Sequence, residues 1–158
     1  MVSLKSLTFH LCILIGATSA TVAVAGDEKC DGIVIRQSAQ PQAKPGQVIQ
    51  YNVEVHHSGA CELSGLELSD YLPQQTELLW AMPKPDLTQT SREENPEPWP
   101  VNRLMWKNRK LDPGGSISLI LSVRAPEFRT GWLRNTICIS AVNMIRKCSD
   151  IETFVRSD

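Results

Sequence analysis

The chain carries almost no net charge. Its 16 Lys and Arg stand against 17 Asp and Glu, a formal net charge of −1 over 158 residues. No block of basic residues occurs, so the electrostatic footprint that nucleic acid or an anionic lipid surface requires is missing. No Cys-x-x-Cys pair is present and no His lies at ligand spacing beside a Cys, which leaves no metal site to write. "GGSIS" (114–118) lacks the Gly-x-Ser-x-Gly turn of a nucleophile elbow, and no acid–base constellation assembles elsewhere. The expectation is a protein that is not an enzyme and uses no cofactor. The three- and four-residue apolar spacing of an amphipathic helix is also lacking.

A long apolar run occurs once, at the start. Lys5 precedes "LTFHLCILIGATSATVAVAG", which ends in Ala23-Val24-Ala25 before Gly26. A lightly basic start, an apolar stretch and an A-x-A site describe a secretory signal peptide over 1–25, cleaved between Ala25 and Gly26. The stretch is interrupted by His10 and dissolves into Ala, Thr and Ser. It falls short of the roughly 20 strongly apolar residues of a membrane span. Nothing later is long enough either, so no span is expected after cleavage, and residues 26–158 form a single domain. Of five cysteines, Cys12 leaves with the signal peptide. Cys30, Cys61, Cys138 and Cys148 remain, an even number in an exported chain, which reads as two disulfides.

What the chain has in quantity is alternation after turns. "KPGQVIQYNVEVHHSG" places Ile49, Tyr51, Val53 and Val55 on one face; "LDPGGSISLILSVR" does the same with Ile117, Leu119, Leu121 and Val123. In each, Pro sets a turn angle and Gly supplies the permissive conformation beside it. Each run then has one face for a core and one for water. Further strands are expected from 33, at 66–72, 76–81 and 104–111, across "GWLRNTICISAVN" (131–143) and in "CSDIETFV" (148–155). Seven or eight short antiparallel strands with Pro or Gly between them make an all-β sandwich. Residues 82–103, "MPKPDLTQTSREENPEPWPVNR", show no alternation and five prolines, so no strand is expected there. Within them Trp99, between Pro98 and Pro100, is a candidate partner contact: a large ring on a stiff extended segment.

These elements, in order, resemble a known family. Pro45-Gly46, Tyr51, Gly59, Asp70-Tyr71-Leu72-Pro73, Trp106, Leu111-Asp112-Pro113-Gly114 and Asn135-Thr136 follow its pattern over about residues 30 to 155. The family is the bacterial repeat called domain of unknown function eleven, an immunoglobulin-like module of exported surface and envelope proteins. The resemblance implies an immunoglobulin-like β-sandwich with a structural or adhesive role and no catalysis, in a bacterial periplasm or at the cell surface. The expected partner is a protein or a cell-envelope component. The rival reading is a soluble periplasmic accessory protein, chaperone-like or inhibitory, that binds another exported protein. Two departures stand out: a single copy of a commonly repeated unit, and four cysteines.

Residue parity bears on the remaining candidates. His56 and His57 point to opposite faces of one strand, so they cannot share a metal. Asp70 is expected to cap a turn, Trp106 to pack between the sheets, and Trp80 and Trp132 to cap the core from strand ends. Cys138 and Cys148 are equidistant from Asn143, which places them opposite one another in a hairpin, within reach of a disulfide. Cys30 and Cys61 are equidistant from the Pro45-Gly46 turn. That register would set Val53 and Val55 against Ser38 and Arg36, so a bulge or a strand changing sheets must intervene. The pairing expected is Cys138–Cys148 with Cys30–Cys61. Cys30–Cys148 with Cys61–Cys138 stays open should the first strand run parallel to the last.

Overall fold

A computed structural model describes residues 30, 32–89 and 102–157. Among them are ten strands and no helix: β1 (Ile33–Ser38), β2 (Gln42–Ala43), β3 (Val48–His57), β4 (Leu63–Tyr71), β5 (Glu77–Met82), β6 (Leu87–Gln89), β7 (Arg103–Leu111), β8 (Ser116–Arg124), β9 (Gly131–Ala141) and β10 (Met144–Val155). They form two sheets, of order β1-β3-β8-β5 and β2-β10-β9-β4-β7-β6. The signal-peptide segment, its cleavage site at Ala25 and Gly26, and Trp99 lie outside the described residues.

The two Pro-Gly runs become neighbours. β3 and β8 pair antiparallel through Val53↔Leu119 and Tyr51↔Leu121 at the centre of the four-stranded sheet. Gly46 and Gly114 both take positive φ, 73° and 76°, which a Cβ would oppose. The second turn also closes onto β3: Gly114 N donates to His57 O at 2.8 Å, and His57 N to Gly115 O at 3.0 Å. Inward residues of β3 and β8 then meet Leu66 and Leu68 of β4, Leu104 and Trp106 of β7, and Ile137 and Ile139 of β9 across the interior. Trp106 is 1% exposed and its indole Nε1 donates to Pro83 O at 2.9 Å, so the ring is buried without stranding its donor.

Two expectations about strands are corrected. The segment 82–103 contains β6, which pairs with β7 through Leu87↔Met105 and Gln89↔Arg103, and its first residue, Met82, ends β5. Three residues are too few to show alternation. What holds them is Asp86, whose N–H donates to Met105 O at 2.9 Å and whose Oδ2 accepts from Lys107 N at 2.7 Å. The strands are also not all antiparallel. β2 pairs parallel with β10 through Phe154↔Gln42 and Val155↔Ala43.

That second feature resolves the register conflict in the sequence. β1 pairs with β3 as Ile33↔His57, Ile35↔Val55 and Gln37↔Val53, one residue away from the register centred on Pro45-Gly46. A one-residue slip exchanges faces. The observed register keeps Ile33 and Ile35 on the core side, and the chain leaves the sheet after Ser38 to join the other sheet as β2. The first segment thus changes sheets. Its parallel contact with β10 nevertheless does not bring Cys30 to Cys148.

Candidate binding site

The structure pairs Cys30 with Cys61 and Cys138 with Cys148, with Cα separations of 5.9 and 4.0 Å. Cys148 stands opposite Cys138 in the β9–β10 ladder, and the hairpin register shifts between Met144 and Lys147. His57, fully buried, secures the loop that brings Cys61 to Cys30. Gly59 N donates to its Nδ1 at 3.3 Å, which leaves Nε2 to donate to Cys61 O at 2.7 Å. At the same end, Asn143 Nδ2 lies 2.9 Å from Cys30 Sγ, so the β9–β10 turn touches the first bridge. Among the described residues no three His, Cys, Asp or Glu side chains converge on a metal-sized site.

Asp70 does not cap a turn. It points inward on β4 with the parity of Leu66 and Leu68, is fully buried, and accepts from Asn135 Nδ2 at Oδ2 over 3.0 Å. The same amide nitrogen lies 3.3 Å from Gln37 Oε1. Among the described residues Asp70 Oδ1, Asn135 Oδ1 and the Tyr51 hydroxyl have no well-formed hydrogen bond. Burial pushes the Asp70 carboxyl up to about 7, with the Asn135 amide opposing. Burial likewise pushes the Tyr51 phenol up to about 12; the nearby Thr153 hydroxyl opposes this and the Asp70 charge adds to it. Tyr51, Asp70 and Asn135 are separate motif elements in the sequence, yet they meet inside the sandwich. Parity could have placed Asp70 there. Nothing in the sequence could have placed Asn135 against it.

Outside, the six-stranded sheet presents a ladder of matched pairs between β9 and β10: Trp132 with Phe154, Arg134 with Glu152, Thr136 with Asp150, then the Cys138–Cys148 bridge. The two rings meet edge-to-face at 5.0 Å between centroids. Arg134 donates from Nε and Nη2 to Glu152 Oε1 at 3.0 and 2.8 Å, and Thr136 Oγ1 donates to Asp150 Oδ1 at 2.7 Å. Beside the ladder two guanidinium groups stand near the Tyr71 ring, Arg103 at 5.3 Å and Arg146 at 6.0 Å from its centroid. Arg146 Nη2 donates to the Tyr71 hydroxyl at 3.1 Å, while Arg103 Nη2 is held by Ser69 Oγ and Glu67 Oε1.

A depression of about 410 Å³ opens here, bounded by Tyr71, Gln74, Arg129, Trp132, Arg134 and Glu152. Strand lengths create it. β9 pairs with β4 only from Thr136 to Ser140, while its residues 131–135 continue past the end of β4, where the chain turns away at Pro73. Trp132 is 61% exposed on the rim and does not cap the core; Trp80, 45% exposed on the other sheet, does not either. Both lie on outward-facing positions of their strands, opposite Phe154 and Ser122 respectively. Half-buried Arg129 and exposed Gln74 make no hydrogen bond or ion pair within the described residues. The sequence offered no sign of this site, because its residues come from β4, β9, β10 and two loops.

No protein-family model matches the chain, and no curated protein does. Solved structures share its fold. AvmM, which catalyses macrocyclization in alchivemycin A biosynthesis, superposes with TM-score 0.56 and 11% identity over 81% of this chain and 90% of that one. BcpA, the major pilin subunit of Bacillus cereus, gives 0.52 and 10% over 79% of this chain and 40% of that one. The sporulation control protein Spo0M of Bacillus subtilis gives 0.51 and 11% over 81% of this chain. The present chain spans about half of Spo0M's length, 51%. The fold is an immunoglobulin-like β-sandwich. One of the three is an enzyme, so the fold alone does not decide the chemistry.

Proposed function

We propose that this chain is an exported, non-catalytic structural or binding module of a bacterial cell envelope, of the immunoglobulin-like kind called domain of unknown function eleven. The observation that carries the reading is the pair of disulfides, Cys30–Cys61 and Cys138–Cys148, in a chain that opens with a secretory signal pattern. Such bonds persist in oxidising compartments and are rare where thiols are kept reduced. Support for the family comes from where its motif residues lie. Four of them, Tyr51, Asp70, Trp106 and Asn135, are interior, as packing positions of a shared fold would be. A pilin subunit among the structural neighbours agrees with an envelope role.

Fractionation of the source cells with mass spectrometry of the recovered chain tests this. Expected is a chain beginning at Gly26, with both disulfides formed, retained with wall or outer-membrane material. A chain that keeps Met1, or that carries free thiols, would overturn export. Recovery outside the envelope fraction as a complex with one defined protein would favour an accessory role in its place.

A further inference from the structure

We propose that the depression at the end of β4 is a saccharide-binding site that prefers a sugar carrying a carboxylate. The inference rests on the binding-module reading and names the ligand class of that module. Its volume of about 410 Å³ falls within the range of small-molecule sites, roughly 300–1,000 Å³. What sets its chemistry is the combination of an exposed ring, a rigid polar wall and one unsatisfied cation.

The ring is Trp132. Phe154 meets it edge-on and holds it, yet the indole remains 61% exposed at the rim. Trp132 thus keeps a large apolar ring in water at the edge of the depression, surface that a ligand would remove from water. The C–H face of a pyranose is flat, weakly apolar and matched in size to an indole, so it covers such a ring without needing a deep pocket.

The wall joins a pair of planar groups that orient each other, Arg134 and Glu152, to the exposed amide of Gln74. Arg134 and Glu152 hold each other through Oε1, which leaves Glu152 Oε2 with no partner among the described residues. Gln74 offers an amide with both a donor and an acceptor. Vicinal hydroxyls of a sugar each donate and accept, so a wall with both functions satisfies them where a purely cationic or purely acidic wall could not.

The cation is Arg129. It is half-buried in the lining and has no hydrogen bond or ion pair within the described residues. A guanidinium is planar and pairs two-fold with a carboxylate, and a partly desolvated one gains most from doing so. Arg134, by contrast, is already paired with Glu152. Among the residues that line the depression, the charge available to a ligand is therefore a single cation at one side, which selects one carboxylate on an otherwise neutral polyol.

Calorimetric titration of the folded, disulfide-bonded protein tests the assignment, with trigalacturonate and its methyl ester as probes. The ester keeps the ring faces and hydroxyls and removes the charge. Expected are binding of trigalacturonate and about tenfold weaker binding of the ester. Trp132→Ala should weaken both by about tenfold, the scale of one aromatic contact. Arg129→Gln should erase the preference between the two probes while leaving the ester's affinity in place. Absence of heat with either probe would overturn the proposal, as would binding indifferent to both substitutions. The edge of β9 at 131–135, which pairs with no strand on the β4 side among the described residues, suggests a different occupant, an extended peptide added as a strand. An acidic pentapeptide that binds and protects those amides from exchange, while trigalacturonate does not, would assign the site to peptide. Failure with saccharides while the protein still fractionates with the envelope removes this inference alone and leaves the module reading standing.

Discussion

Asn135 Nδ2 donates to Asp70 Oδ2 over 3.0 Å in an interior where both residues are fully buried. The contact stabilises the carboxylate, but desolvation outweighs it, and the carboxyl sits at about 7 against an ordinary 3.8. Folding therefore binds a proton between those two values. The contribution of Asp70 to stability is fully present below about pH 3.8, falls as pH rises, and is lost above about pH 7. The shift corresponds to at most about 4 kcal/mol. Urea unfolding at pH 5 and pH 8 should show the protein weaker at pH 8. In Asp70→Asn, which keeps an oxygen for Asn135 and removes the titration, that difference should shrink. Equal pH dependence in the two proteins would exclude Asp70 as its source.

The two bridges differ in what they constrain. Cys30–Cys61 spans a sequence separation of 31 and Cys138–Cys148 one of 10. In the chain-entropy account the first stabilises by about 3–4 kcal/mol and the second by about 2–3 kcal/mol. Replacing each pair by Ser and comparing denaturant midpoints should give that order. The reverse order would mean that local packing on the β9–β10 hairpin outweighs loop closure.

Gly32 is the residue least able to accept a side chain beside the first bridge. Its φ is 128°, and a Cβ there would lie 2.5 Å from Gly59 N. Its carbonyl accepts from both Ser58 N and Ser58 Oγ, at 2.9 and 3.0 Å. Gly32→Ala should cost about 2–3 kcal/mol through strain and displacement of the 58–61 loop. Thermal melting decides it, and an unchanged midpoint would show that the loop yields freely.

Trp106 and Trp132 should separate cleanly in stability. Trp106 is buried between the sheets and bonded to Pro83, so Trp106→Ala should cost about 3–5 kcal/mol. Trp132 is on the outer face against Phe154, and Trp132→Ala should cost no more than about 1 kcal/mol. Comparable losses in the two variants would place Trp132 in the core after all.

Strand parity explains which parts of this protein were legible beforehand. Alternation in Val48–His57 and Ser116–Arg124 identified two half-buried strands, because side chains on a strand change face at every residue. The same rule placed His57 inward and set Cys138 opposite Cys148 in a hairpin whose turn sits between them. β2 and β6 escaped it, being two and three residues long and held by their neighbours in the sheet.

Local sequence, then, determined the all-β class, the two Pro-Gly turns and the hairpin disulfide, since each depends on residues close together along the chain. Tertiary structure alone decided that the first segment changes sheets, that Tyr51, Asp70 and Asn135 share one buried spot, and that β9 outruns β4 beside Trp132. Those depend on the relative length and register of strands far apart in sequence, which no local pattern encodes. An exposed Trp and a buried Asp both run against composition, and only the packing of the two sheets put them where they are.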